Sequence, residues 1–249
     1  MNFAFAAVVF PPALAVGSFL NVVAARLPLG RSIVKPRSAC MHCGTEIRPR
    51  DNIPVVSYLL LRGRCRTCRT PIGLRYPAVE LGTALLAAAC VAVYGPSLRA
   101  VAAAVFCAAL VTITATDVEH RIVPNRVVLP AAAVVLALQL AWKPSLQWPA
   151  AGFGAALFLL LAALAYPRGM GMGDVKLALL LGVGVGRAVP IALFVGMIAA
   201  VVPSIVLFAR HGRAARKIAI PFAPFLALGG LVALFAGNAI LDWYLSFLK

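Results

Sequence analysis

Long apolar runs separated by short polar segments make up most of this chain. A helix needs about 20 apolar residues to cross a bilayer, and eight runs approach or reach that length. The predicted helices are 3–25, 77–94, 98–116, 126–142, 149–166, 174–187, 189–209 and 223–247. The sixth run is short and is separated from the seventh only near Arg187 to Pro190. The pattern therefore predicts an all-α polytopic membrane protein with about eight transmembrane helices.

The one long polar segment, which follows the first helix, is predicted to be a small separate domain. It contains eleven Lys/Arg between residues 26 and 75 and four of the six cysteines. The predicted division is a first transmembrane helix at 1–25, a cytoplasmic zinc-binding domain at 26–76, and a seven-helix core at 77–249.

The cysteines of this segment form two Cys-x-x-Cys pairs with 21 residues between them, namely Cys40, Cys43, Cys65 and Cys68. Two such pairs suit tetrahedral zinc, and the interval only slightly exceeds the usual length of about 15–20 residues. His42 inside the first pair is an alternative ligand, and a pair of disulfides is the alternative to a metal. A reducing cytoplasm disfavours disulfides. Four thiolates would fill the coordination sphere, so the predicted zinc is structural.

Composition and charge agree with a membrane protein and set its orientation. The chain is 63% hydrophobic and 12% charged, with a mean hydropathy of +0.97, whereas a soluble domain is about a quarter charged. The net charge of +16 lies in loops, which argues against nucleic acid as a partner and for membrane lipid. With the 26–75 segment in the cytoplasm, 19 of 23 Lys/Arg fall on that side, as the positive-inside rule requires.

Two of the seven acidic residues lie at helix ends that this orientation brings to the same side. Asp117 closes the third apolar run, and Asp174 follows a glycine-spaced turn that contains Gly171 and Gly173. Each aspartate also has a purely structural interpretation, namely a helix cap for Asp174 and an ion pair with Arg121 for Asp117. Ionisable groups near the bilayer are functional candidates, and two carboxylates about 3 Å apart share a proton. The pair is predicted to activate water, with the glycines admitting an extended substrate strand.

Two further polar residues beside the apolar runs have a structural and a functional interpretation. Asn21, late in the first helix, is predicted to form an interhelical hydrogen bond, with a place near the active site as the alternative. Glu80 is predicted to lie in the first turn of the second helix, facing the helix dipole.

These motifs resemble those of the bacterial prepilin peptidases, or type IV leader peptidases. The Gly171-Met172-Gly173-Asp174 box is similar to the G-x-G-D box of intramembrane aspartyl proteases. The similarity continues in order through Gly17 to Val22, both cysteine pairs, Asn52-Ile53-Pro54, Arg75 to Glu80, and Asp117 to Asn125.

The resemblance implies a bacterial inner-membrane aspartic endopeptidase with Asp117 and Asp174 as its catalytic carboxylates. It implies cleavage of type 4 prepilins or pseudopilins on the cytoplasmic side, after a short basic leader. It also implies N-methylation of the new N-terminus with S-adenosylmethionine, and a role for Glu80 in methylation or leader contact. No glycine-rich nucleotide-binding motif supports the second activity independently.

Two other classes of protein are compatible with parts of this pattern. A proton-coupled transporter also uses paired carboxylates and broken helices, but the chain lacks an inverted repeat and its aspartates lie at one membrane edge. A non-enzymatic scaffold built around the zinc segment leaves the glycine-spaced Asp174 unexplained.

Overall fold

The structure is a computed structural model that describes residues 2–166, 170–212 and 220–247. Among these residues the regular elements are α-helices and short 3-10 turns, with no β-strand. The helices are α1 (Asn2–Arg26), α2 (Val56–Leu60), α3 (Arg75–Tyr94), α4 (Leu98–His120), α5 (Asn125–Trp142), α6 (Gln147–Ala165), α7 (Met172–Val185), α8 (Val189–His211) and α9 (Ala223–Ser246). Residues 167–169 and 213–219, within two predicted breaks between helices, lie outside the described residues. The predicted all-α class is confirmed.

Seven stretches of the described chain are long and apolar enough to cross a membrane. One of them, Met172–Arg210, has 39 residues and contains both α7 and α8, which a 3-10 turn at Gly186–Ala188 separates. At 1.5 Å per residue the 14 residues of α7 extend about 21 Å, less than the roughly 30 Å of a hydrocarbon core. The chain is a multi-pass membrane protein whose sixth apolar helix is short, as predicted.

The chain divides into two compact units, residues 1–100 and 101–249. In the first unit α1 packs along α3, with the polar segment between them in sequence. A Cβ on Gly17 would lie 2.7 Å from the Cα of Glu80, so glycine is required for this close approach of two helices. The predicted three-part division at residues 25 and 76 remains a prediction.

In the second unit α7 is the most enclosed helix. Its buried residues include Leu177, Leu180 and Leu181, each 0% exposed, and α5, α6 and α9 pack around it. Gly182 allows the backbone of α6 to approach, because a Cβ there would lie 2.3 Å from the carbonyl oxygen of Ala151. The helix that carries Asp174 is therefore held on several sides.

Candidate active site

Asp117 lies within α4 rather than after it. The predicted third helix ends at residue 116, but α4 continues to His120, because no helix-breaking residue occurs before Arg121 adopts a φ of +54°. The Asp117 side chain is 6% exposed, and its Oδ2 accepts the backbone N–H of Ala223 at 3.0 Å. Ala223 is the first residue of α9, so Asp117 satisfies one of the unpaired donors at that helix N-terminus.

Asp174 lies in the first turn of α7 and is not its cap. The capping position is Gly171, which precedes Met172, the first helical residue. The Asp174 side chain is half-buried. The carboxylates that the sequence predicts as a pair thus lie at the C-terminal end of α4 and the N-terminal end of α7.

Gly173 brings the start of α7 against the segment between α4 and α5. A Cβ at Gly173 would lie 2.9 Å from the Cβ of Val123, closer than real Cβ contacts, so no larger residue fits without movement. A Cβ at Gly171 would lie 3.6 Å from Oδ2 of Asp174, which is ordinary contact. Gly173 therefore contributes close packing, and Gly171 leaves space beside the carboxylate.

Lys176, the basic residue two positions after Asp174, bonds away from the aspartates. The Nζ of Lys176 donates to the Oδ1 of Asn125 at 2.8 Å, which ties α7 to the start of α5. The alternative that Asp117 pairs with Arg121 is not supported, because no ion pair joins them among the described residues and Asp117 binds Ala223 instead.

Three contributors to this site could not be identified from the sequence. Ala223 donates its backbone N–H to Asp117, and Val123 packs against Gly173. Asn125 accepts a hydrogen bond from Lys176, 51 positions away. The only signal for Ala223 is the Pro-x-x-Pro spacing of residues 221–224, which marks a helix start.

The four cysteines of the polar segment come together in a cluster with the geometry of a metal site. The four Sγ atoms lie within 4.8 Å of one another, and the Sγ atoms of Cys40 and Cys68 are 3.7 Å apart. A tetrahedral zinc with bonds of about 2.3 Å requires sulfur–sulfur separations of about 3.8 Å, whereas a disulfide requires about 2 Å. The arrangement can therefore hold zinc, and the disulfide alternative is wrong for the described cysteines.

The two cysteine pairs form matching turns. The N–H of Cys40 donates to the carbonyl oxygen of Thr45, and that of Cys65 donates to the carbonyl oxygen of Thr70, both at 2.9 Å. The Thr45 hydroxyl lies 3.4 Å from the Sγ of Cys43 and lowers the pKa of that thiol. Thiolates are the form that binds zinc, so this hydroxyl favours the metal-binding form of Cys43.

Arg66, inside the second turn, joins the cluster to the rest of the segment. Its Nε and Nη2 donate to the carboxylate of Asp51 at 2.8 and 2.5 Å, a bidentate pair. The Arg66 guanidinium holds the pKa of the Asp51 carboxyl below its usual range.

Glu80 lies in the second turn of α3 rather than in the first, because the helix begins at Arg75. Its Oε2 accepts the backbone N–H of Val55 at 2.7 Å, so the predicted contact with the dipole of its own helix is replaced by a bond to the polar segment. Asn21 donates from Nδ2 to the carbonyl oxygen of Tyr76 at 3.0 Å, which confirms the predicted interhelical bond.

Asn21 and Glu80 both line a cavity of about 1430 Å³ in the first unit. The walls come from the C-terminal half of α1, the polar segment and the first turns of α3. The walls combine polar groups with the aromatic side chains of Phe19, Tyr58 and Tyr76.

The fold and the site together define a multi-pass α-helical membrane protein with one carboxylate near the end of α4, another in the first turn of α7, and a four-cysteine segment. Residues 12–94 match the Bacterial Peptidase A24 N-terminal domain, and residues 104–205 match the Type IV leader peptidase family. No solved structure gives a significant match.

Curated relatives cover nearly the whole chain. A Burkholderia pseudomallei (strain 1026b) protein is 39% identical over 96% of this chain and 86% of its own length. A Bacillus subtilis (strain 168) protein is 35% identical over 94% of this chain and 95% of its own. Both are named prepilin leader peptidase/N-methyltransferase. This chain belongs to the type IV leader peptidase family, as predicted, and is a membrane peptidase.

Proposed function

We propose that this protein removes the short basic leader from type 4 prepilins or pseudopilins, using Asp117 and Asp174 to activate water. The relatives named above carry the substrate in their name. The observation that most supports the proposal is the close approach of Gly173 to Val123, which brings the start of α7, with Asp174, against the segment that follows the buried Asp117.

In the proposed reaction one carboxylate takes a proton from water while the water oxygen attacks the scissile carbonyl carbon. The other carboxyl, protonated, gives its proton to the carbonyl oxygen. The carboxyl that took the proton from water then gives it to the leaving nitrogen as the C–N bond breaks. A hydroxyl of the intermediate gives its proton to the other carboxylate as the new carbonyl forms, which regenerates the pair with one shared proton. No covalent bond to the enzyme forms at any step.

Gly171 and Gly173 are proposed to hold substrate and backbone in position beside Asp174. Space next to the carboxylate at Gly171 admits an extended peptide, and irregular backbone at membrane depth is tolerated where it lines a cavity.

The site is proposed to face the cytoplasm from the bacterial inner membrane. That orientation puts the basic 26–75 segment and both aspartates on the cytoplasmic side and leaves Arg99, Lys143, Arg187 and Lys249 opposite. In this account Cys40, Cys43, Cys65 and Cys68 hold a structural zinc, which replaces the core that so small a segment lacks.

N-methylation of the new N-terminus, the proposed second activity, is assigned to the first unit. S-adenosylmethionine supplies the methyl group for N-methylation of the new N-terminus, and the cavity lined by Asn21 and Glu80 is where this chain offers room for it. Glu80 holds Val55 at the cavity wall and is proposed to contact the leader or the methylation machinery.

Replacement of either aspartate tests the proposed function. Purified Asp117→Asn and Asp174→Asn proteins should lose leader cleavage by at least about a thousandfold, because a dyad lacking one carboxylate cannot transfer both protons. The assay is mass spectrometry of a prepilin-like substrate mixed with the detergent-solubilised enzyme.

Asp242→Asn is the matched control, because Asp242 is exposed and pairs with Arg187 through a 3.0 Å contact away from the site. It should cleave at the wild-type rate. Retained cleavage in either site variant would remove that residue from the mechanism.

A further inference from the structure

The side-chain amide of Asn21 contains an acceptor that no described residue satisfies. Asn21 is 4% exposed, and its Nδ2 donates to the carbonyl oxygen of Tyr76, while Oδ1 has no hydrogen-bond partner among the described residues. Because a carbonyl oxygen can only accept, the amide nitrogen must face Tyr76 and the orientation of the side chain is set. A buried acceptor left unpaired destabilises the folded protein, so a ligand that donates to it gains affinity.

The surroundings of Asn21 favour a ligand with N–H donors. Asn21 lines the 1430 Å³ cavity of the first unit, which is larger than the roughly 300–1,000 Å³ of ordinary ligand pockets. The carboxylate of Glu80, 9% exposed, lines the same cavity. The Asn21 amide oxygen and the Glu80 oxygen that does not bind Val55 are both acceptors, and acceptors suit the N–H donors of a primary amine.

We propose that Oδ1 of Asn21 accepts a hydrogen bond from a primary amine of a ligand in this cavity. The inference rests on the proposed second activity, because both partners in N-methylation carry such a group. The methyl donor has an α-ammonium on its aminoacyl part, and the cleaved substrate has a new N-terminal amine. Asn21 is then a binding residue of the first unit as well as a link between α1 and α3.

Two variants distinguish the contribution of the Asn21 acceptor, Oδ1, from that of the interhelical hydrogen bond to Tyr76. Asn21→Asp and Asn21→Leu both lose the donor to Tyr76, but only Asn21→Leu loses the acceptor. Each protein is placed in lipid nanodiscs, and binding is measured by calorimetry. Zinc content and the thermal midpoint report whether the first unit is folded.

Two pairs of probes distinguish the source of the amine. S-adenosylhomocysteine carries the α-ammonium, and methylthioadenosine lacks it. A peptide with the sequence of a cleaved pilin N-terminus is used with a free amine and with an acetylated one.

Asn21→Leu should weaken one amine-bearing probe about tenfold or more, as expected for a hydrogen bond to a charged group. Asn21→Asp should bind that probe at least as tightly as wild type. The matching probe without the amine should bind all three proteins equally, and the affected pair identifies the source.

Equal affinity of wild type and Asn21→Leu for both amine-bearing probes would overturn the inference. So would equal weakening by Asn21→Asp and Asn21→Leu, which would mean that only the bond to Tyr76 matters. Neither result bears on leader cleavage, whereas a wild-type protein that cleaves no prepilin would refute the proposed function and leave the binding data standing.

Discussion

At the scale of single residues, the geometry of the carboxylate pair depends on groups that carry no charge. The backbone N–H of Ala223 holds Asp117, and the absence of a side chain at Gly173 lets α7 approach Val123. The sequence predicts the two aspartates and the two glycines because acids and glycine-spaced turns are rare beside apolar helices. It does not predict their partners, because Ala223 is 106 positions from Asp117 and acts through a backbone group that any residue except proline possesses.

Gly173→Ala should lower leader cleavage about 10- to 100-fold, because an added Cβ would meet Val123 at 2.9 Å and push Asp174 away. Val123→Gly in the same protein should restore much of the loss, because it removes both the Cβ at 2.9 Å and the Cγ2 at 3.1 Å. The steady-state cleavage rate of single and double variants measures both effects.

Gly154→Ala is the control, since an added Cβ on this glycine of α6 meets nothing within 4 Å. If the second substitution restores nothing, close packing at Gly173 is not the reason for the glycine.

At the scale of elements, the sequence predicts the cysteine cluster well and the helix ends less well. Cysteine spacing alone indicates a cluster that closes in the structure, because two matching turns bring their sulfurs together. The end of α4 is missed by four residues, since hydropathy falls at Asp117 while the backbone remains helical to His120. Helix α2 is also missed, because five residues are too few for a periodic pattern.

Cys40→Ser and Cys65→Ser should each abolish zinc binding and unfold the polar segment, because a segment this small has no core of its own. Elemental analysis should give one zinc per wild-type chain and none in either variant, and proteolysis should cut the variants between residues 30 and 74.

Cys90→Ala, in α3 and outside the cluster, should keep its zinc. A wild-type protein that purifies without zinc, yet with the segment resistant to protease, would show that the cluster folds by other means.

At the scale of the whole molecule, hydropathy predicts the class and charge predicts the orientation. Both predictions follow from how residues partition between lipid and water. Apolar runs enter the lipid, and loops rich in Lys/Arg stay on the cytoplasmic side. Hydropathy and charge do not predict the grouping of the chain into two compact units. The sequence of α3 is that of one more apolar helix, and only its packing on α1 assigns it to the first unit.

The orientation predicts which engineered cysteines an impermeant maleimide can reach in intact cells. Lys143→Cys, between α5 and α6, should be labelled, and Ile122→Cys, between α4 and α5, should not. Native Cys43 should also stay unlabelled, although it is exposed, and cell lysis should render Ile122→Cys reactive. Labelling of Ile122→Cys in intact cells would contradict the predicted orientation and indicate the opposite one.

The most direct test of the central claim is the leader-cleavage rate of the double variant Asp117→Asn/Asp174→Asn beside the two single variants. Residues that act as one unit are not additive, because the loss of either already stops the reaction. We predict that all three variants share the same residual rate within experimental error. A double variant much slower than both single variants, or a single variant that cleaves at the wild-type rate, would contradict a catalytic pair made of Asp117 and Asp174.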